Sequence, residues 1–442
     1  MKLYRKDIQN FMMKLLKEGE IYMQILKKIK LEPFLLLIML VFMAGYHFFL
    51  YFNSPWDKIN NSILQIRNDS LIVIGCSFLS FLLMVILIAF RLFKKNIPSY
   101  LFILTLILII FGLFWILYSI MFNNISLTLL LRDSFPPMAM ITCGIILVGY
   151  NNKWWSLLKK MLLIFSCFFV FYSFYEVIRA YSIFGFDYRI TSGAPMYLFI
   201  VGLYATYGVV VLTDEWKKKY KALMFILIVI LFFNSAILQG RSWFLQMCIL
   251  FFIYLIRIYS YLKKHNKGLQ YFIPSLIILF ILVIFVSKIE LFEGLIFRFE
   301  TSGDTRTHQL EAFFSQVSFK ELFLGGGIRA SYSFNGDPNY HFIDNQVLLF
   351  AFRYGLIPTF VYLMLYFVLF IKTIKTKNRG LLVKMIVLFS WLLAMIGLSV
   401  YFNLGFGMPH TLMMLYVGRL YYEVDKFYKK DEKNEKNIIY TS

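Results

Sequence analysis

Residues 71–92 read LIVIGCSFLSFLLMVILIAFRL, and the one charge in that run, Arg91, stands next to its end. At 1.5 Å per helical residue the run is roughly 33 Å long, enough to cross the hydrocarbon core of a bilayer. Residues 99–121, SYLFILTLILIIFGLFWILYSIM, repeat the pattern without a charge. The chain of 442 residues is 60% hydrophobic and 16% charged, with a mean hydropathy of +0.70. Such a composition excludes a soluble globular domain.

Working outward from these two runs, about twelve membrane spans are predicted. They cover 33–53, 71–92, 99–121, 134–150, 157–178, 195–213, 222–239, 242–260, 271–289, 346–371, 381–402 and 408–424. The expected fold class is an all-α polytopic integral membrane protein with one long extracytoplasmic loop. Arg132, Asp133, Pro136 and Pro137 interrupt the outer end of 134–150, which predicts a re-entrant or broken helix packed in protein. The net charge of +21 could suggest nucleic acid, but its distribution argues against that partner. Lysines and arginines collect in alternate loops, at Arg91/Lys94/Lys95, Lys153/Lys159/Lys160, 217–221, 263–267 and 372–379, and at both chain ends. The intervening loops carry acids such as Asp57, Asp69, Asp133 and Asp187. That alternation is a topology signal and places both termini in the cytoplasm.

The expected organisation follows in five parts. Residues 1–32 form a cytoplasmic basic segment, with Ile8, Phe11, Met12, Leu15 and Leu16 at the spacing of a helix lying on an anionic leaflet. Residues 33–289 hold spans one to nine, 290–345 the outer loop, 346–424 spans ten to twelve, and 425–442 a charged tail whose composition suggests disorder. The four cysteines, Cys76, Cys143, Cys167 and Cys248, fall in apolar runs without metal-ligand spacing and read as buried small residues.

The polar stretch 288–346, KIELFEGLIFRFETSGDTRTHQLEAFFSQVSFKELFLGGGIRASYSFNGDPNYHFIDNQ, is where chemistry is expected. Arginines recur on the outer side: Arg189, Arg241, Arg298, Arg306, Arg329 and Arg353. Arg353 lies inside the tenth predicted span, about 12 Å deep by helical rise. A guanidinium there costs several kcal/mol unless it is paired or reaches a wet cavity, and it stays charged. An anion would offset the cost, and arginine matches phosphate oxygens with forked hydrogen bonds. Snorkelling, or pairing with Glu290, Glu293 or Glu300, is the structural alternative. Of the five histidines, His47 and His265 read as structural. His308 and His341 lie in the loop, where an imidazole can take a proton from a hydroxyl. His341 stands three residues before Asp344, a second candidate base. Gly325, Gly326 and Gly327 suit a tight turn or a close backbone approach to a ligand, with Gly326 as the candidate contact. No P-loop lysine follows them. Residues 305–319 have apolar residues at Leu310, Phe313, Phe314 and Val317, the pattern of an amphipathic helix.

Four features together resemble the O-antigen polymerase and O-antigen ligase superfamily, the Wzy-type polysaccharide polymerases. They are RITSGAP with Arg189, Gly193 and Pro195; the GRS turn at Arg241; Arg298 and Arg306 followed by a helix and LFLGGGI; and IDNQVLLFAFRYGLIP. The resemblance runs from about residue 185 to 360. It implies a GT-C-like glycosyltransferase of the bacterial cytoplasmic membrane that builds capsule or exopolysaccharide on the outer face. The implied donor and acceptor are undecaprenyl-pyrophosphate-linked repeat units. The implied transfer is inverting, without metal or cofactor, and the implied protein partners are a flippase and a chain-length regulator. Carried onto this chain, His341, Asp344, Arg306 and Arg298 become the catalytic candidates. Arg189, Arg241, Arg329, Arg353, His308 and Gly326 become the pyrophosphate- or glycan-binding ones. Where ligase members show His-Asn, this chain has Asp344 and Asn345, which favours a polymerase. The rival readings are a ligase moving finished polymer, a lipid-linked oligosaccharide flippase, and a GT-C enzyme using Asp57 or Asp69.

Overall fold

The computed structural model describes residues 31–51, 56–57, 62–63, 71–94, 97–126, 137–151, 155–184, 194–211, 216–238, 241–263, 305–397 and 407–441. The first half of the described chain contains α1 (Leu31–Tyr51), β1 (Trp56–Asp57), β2 (Ser62–Ile63), α2 (Leu71–Leu92), α3 (Ser99–Met121), α4 (Pro137–Thr142), α5 (Ile145–Gly149) and α6 (Trp155–Phe184). It continues with α7 (Ala194–Val211), α8 (Lys218–Ile237), α9 (Arg241–Lys263), α10 (Thr305–Gln316) and α11 (Phe319–Leu324). Then come β3 (Tyr332–Phe334), β4 (Asp337–Tyr340), α12 (Gln346–Tyr354), α13 (Leu356–Lys375), α14 (Arg379–Gly397) and α15 (Met408–Thr441). Six of the described helices are long and apolar enough to cross a membrane: Leu31–Leu50, Leu71–Leu92, Ser99–Met121, Trp155–Ala180, Lys219–Ile237 and Leu356–Lys375. The architecture is that of an all-α multi-pass membrane protein, with two small antiparallel hairpins outside the helices. The basic segment before residue 31 and the predicted span 271–289 lie outside the described residues.

The helix α15 is the axis of the bundle. Residues 408–418 are all buried, and the helix packs on α5, α7, α13 and α14. Its approach to α5 is close because Gly149 and Gly418 face each other's backbone; a Cβ on either would overlap a carbonyl of the other helix. Small residues at a crossing let two helix backbones approach in this way.

Three expectations are corrected. The predicted span 346–371 is two helices, α12 and α13, broken at Gly355 with φ of 95°. The segment 134–150 is broken as expected, but at Cys143 and Gly144, between α4 and α5. The tail beyond Lys426 is helical through Thr441. Its strong helix formers and oppositely charged i,i+4 neighbours, Asp425 with Lys429 and Glu432 with Lys436, favour that extension.

The helix α3 spans two chemically different ends. At its start, Tyr100 donates to Asp425, whose Oδ1 also takes Lys372 Nζ at 3.0 Å and whose Oδ2 takes the Tyr150 hydroxyl at 3.0 Å. Lys384 near the start of α14 pairs with Glu423 of α15 at 2.7 Å, Arg419 pairs with the same Glu423 at 2.8 Å, and Glu32 binds Arg91 and Lys94. Fifteen residues on, about 22 Å along the helix, Trp115 Nε1 donates to the Tyr354 carbonyl at 3.1 Å. The basic loop residues Arg91, Lys94 and Lys372 thus belong to helix ends paired with acids, and Tyr100 and Trp115 set the Lys372 cluster and the 305–345 unit at opposite ends of α3.

Candidate functional site

The described part of the loop is a folded unit with its own core. Phe313 of α10 is fully buried, edge-on to Tyr332 with ring centroids 5.3 Å apart and to Phe352 at 5.0 Å. Ala330, Ile343 and Leu349 complete that core, with Leu310 and Val317 packed against it. Phe314, fourth member of the predicted apolar stripe, points outward. The hairpin β3–β4 turns at Asn335 and Gly336, both with positive φ of 51° and 83°, the Asn-Gly chemistry of a tight hairpin. Ser318 caps α11: its side chain accepts the Glu321 N–H at 3.3 Å, and the Glu321 carboxylate takes the Ser318 N–H at 2.7 Å and hydroxyl at 2.8 Å. Those two donors hold the Glu321 carboxyl below the ordinary glutamate range. A depressed folded-state value means that this contribution is present at neutral pH and lost as pH falls below that range. Ser318→Ala is expected to destabilise the loop unit by about 1 kcal/mol. Its effect should shrink in acid, which hydrogen exchange of the loop amides at two pH values measures.

The break at Gly355 is held from three sides. A helix end leaves its last carbonyls without partners. Here Ala351 O takes the Gly355 N–H at 2.8 Å, Phe352 O the Gly326 N–H at 2.8 Å, Arg353 O the Gly327 N–H at 2.9 Å, and Tyr354 O the Trp115 indole. Gly326, weighed as a ligand contact, therefore has its N–H committed to Phe352. The triple glycine clasps the end of α12, and its close approach is to the chain's own backbone.

Beneath that clasp Arg353 is 6% exposed. Its Nη2 donates to the His341 carbonyl at 2.8 Å. The neighbouring buried hydroxyl of Tyr354 interacts with the guanidinium, but the contact is not a well-formed hydrogen bond, and Nε has no other partner in the described protein. The side chain does not sit bare in the middle of a span, because α12 ends one residue later and the loop folds back over it. The imidazole of His341, half-buried, places Nδ1 3.0 Å from the Ala330 carbonyl. A carbonyl only accepts, so Nδ1 carries the hydrogen and, in the neutral ring, Nε2 is the basic atom. Asp344 is half-buried, and its N–H donates to Gln309 Oε1 at 3.1 Å, while Gln309 Nε2 donates to Phe342 O at 3.2 Å. The Tyr332 hydroxyl donates to the same Phe342 carbonyl at 2.9 Å. Burial pushes the Tyr332 and Tyr340 phenols up, and the Asp344 charge adds to both shifts.

The structure thus brings His341, Asp344 and Arg353 onto one short segment. Asn345 is engaged as the cap of α12, its side chain accepting the Leu348 N–H at 3.1 Å. His308 stands on the exposed face of α10, 3.4 Å from Glu311. Arg329 is exposed in the turn after the glycines. Arg306 lies in the first turn of α10 and Arg241 opens α9; Arg189 and Arg298 lie outside the described residues. Sequence reasoning missed Gln309, Tyr332 and Tyr340. Gln309 stood four residues before Phe313 on the buried stripe, a signal that was available. It also passed over His410, buried in the bundle 3.4 Å from the Tyr362 hydroxyl, which lies 2.9 Å from that of Tyr366. His47 is structural: its Nε2 accepts the Met408 N–H at 3.2 Å, at the start of α15. No protein-family model, no curated protein and no solved structure matches this chain.

Proposed function

We propose that the protein is a GT-C-like polysaccharide polymerase of about twelve spans. It joins undecaprenyl-pyrophosphate-linked repeat units on the outer face of a bacterial cytoplasmic membrane, with both termini inside. The observation that carries the reading is the buried guanidinium of Arg353, with hydrogen-bonding capacity left over, beside a histidine whose basic nitrogen is free of the Nδ1 bond. A buried cation that cannot neutralise itself calls for an anion or for polar solvent. A diphosphate leaving group supplies that anion and gains charge as its bond breaks, so a pre-placed arginine stabilises the transition state more than the ground state.

In this mechanism a sugar hydroxyl of the acceptor attacks the anomeric carbon of the donor. The new glycosidic C–O bond forms as the C–O bond to the diphosphate breaks, with inversion. The hydroxyl proton passes to His341 Nε2 or to the Asp344 carboxylate. The departing diphosphate takes the electron pair and needs no general acid. Arg306, Arg298, Arg189, Arg241 and Arg329 are the further candidates for holding donor and acceptor. An apolar groove of about 410 Å³ between α9 and α14, lined by Cys248, Ile249, Phe252, Ile386, Phe389 and Ser390, has the chemistry a prenyl tail requires. Asp344–Asn345 in the place where ligase members show His-Asn supports polymerase over ligase.

The test is the lipid-linked glycan of cells carrying His341→Gln or Asp344→Asn in place of the parental chain. Single repeats accumulating outside, with long polymer gone from at least one variant by about a hundredfold, support the proposal. Repeats trapped on the inner face would make the protein a flippase. Long polymer retained on its carrier would make it a ligase.

A further inference from the structure

We infer that α11 lies in the interfacial layer of the bilayer, so that the loop unit is held down on the lipid surface by an aromatic face of its own. The helix FKELFL has no buried residue. Phe319 is 72% exposed, Leu324 59% and Phe323 43%, and the Phe319 and Phe323 rings lie one turn apart, tilted to each other, with centroids 6.1 Å apart. A loop surrounded by water would gain by turning such side chains inward.

The occupant is identified by what this face continues. The carbonyls of Phe323 and Leu324 abut Gly355, where a Cβ would meet them at 2.7 and 3.0 Å. The end of α11 therefore sits at the top of α13. From there Ile357, Phe360, Phe367, Ile371 and Ile374 run down α13 as exposed residues three, four or seven apart, the lipid-facing side of a span. The neighbouring helix α3 ends beside the glycines that follow α11, where a Cβ on Gly327 would lie 3.4 Å from Asn123, and its Met121 and Phe122 are exposed. Exposed apolar side chains thus run down two spans and recur on α11, with the long-stemmed Lys320 exposed beside Phe319, and aromatic side chains at that depth mark the membrane–water boundary. The Glu321 carboxylate does not interrupt this face, being turned back onto Ser318. The hairpin tip at Asn335 and Gly336 is exposed too, but polar, and an added Cβ there meets open space.

The full chain is reconstituted in vesicles of phosphatidylethanolamine and phosphatidylglycerol, with p-benzoylphenylalanine replacing Phe319, Phe323 or Asn335 in turn, and irradiated. Phospholipid adducts at 319 or 323, about tenfold above those at 335, are the expected result. Adducts to a second copy of the chain, or no lipid adduct at either position, overturn the inference. The two aromatic positions are probed separately so that a variant that fails to fold leaves the other informative. Because the readout is chemical attachment, the result does not depend on the proposed activity.

Discussion

Under the proposed polymerase activity, Arg353→Met is expected to abolish chain extension while leaving a folded protein. Methionine matches the arginine stem in length and removes the cost of holding a charge out of water. The folded state loses the hydrogen bond from Nη2 to the His341 carbonyl, 2.8 Å long, worth about 1.5–3 kcal/mol for a charged donor. The reaction loses far more if the guanidinium holds the departing diphosphate: roughly 10²–10³ in rate, the scale for removing one pre-placed electrostatic donor. Arg353→Lys should fall between, because an ammonium on a flexible stem cannot keep the His341 contact and present a second, forked donor pair at once. The length distribution of glycan made by the reconstituted protein measures activity, and thermal unfolding in detergent measures folding. A Met variant that extends glycan at near the parental rate would end the role assigned to Arg353. If that variant unfolds, the Lys variant carries the test.

Gly325→Ala should undock the loop unit. Gly325 has φ of +85°, and an added Cβ would lie 2.7 Å from both Gly355 N and Tyr354 C and 2.8 Å from Arg353 O. Those are backbone atoms of the helix break and cannot rotate away. The strain of a non-glycine residue in this region is about 1–3 kcal/mol. Relieving the overlap would also pull Gly326 and Gly327 off Phe352 O and Arg353 O, leaving buried carbonyls unsatisfied at a further ~1–3 kcal/mol each. Limited proteolysis should then cut between residues 305 and 345, and glycan extension should fall with it. Gly336→Ala is the internal control. It has nearly the same φ, +83°, with nothing within 4 Å of an added Cβ, so only the backbone strain applies. Equal protease resistance of the two variants would show that the clasp does not hold the loop.

The helices α2 and α3 coincide with the predicted 71–92 and 99–121, because an unbroken apolar run of bilayer length leaves the backbone one way to satisfy itself. Amphipathic spacing likewise located α10. The tail failed in the opposite direction: composition was read as disorder where neighbouring charges of opposite sign support a helix. The division of 346–371 at Gly355 was not legible, since it depends on a glycine clasp about thirty residues earlier in the chain, whose N–H groups supply what the helix end lacks.

By itself, the chain's order of residues determined a multi-pass protein of long apolar helices and the long polar stretch that interrupts them. Each of these depends on runs of neighbours and needs no partner distant in the chain. Only the tertiary structure decided which candidates share a site. Arg353 reaches back to the His341 carbonyl, Gln309 ties down the backbone at Phe342 and Asp344, and His308 stands on the exposed face of α10. Burial, the hydrogen held on His341 Nδ1 and the spare donors of Arg353 are all properties of contacts made between segments, and the spacing of residues along a chain does not encode them.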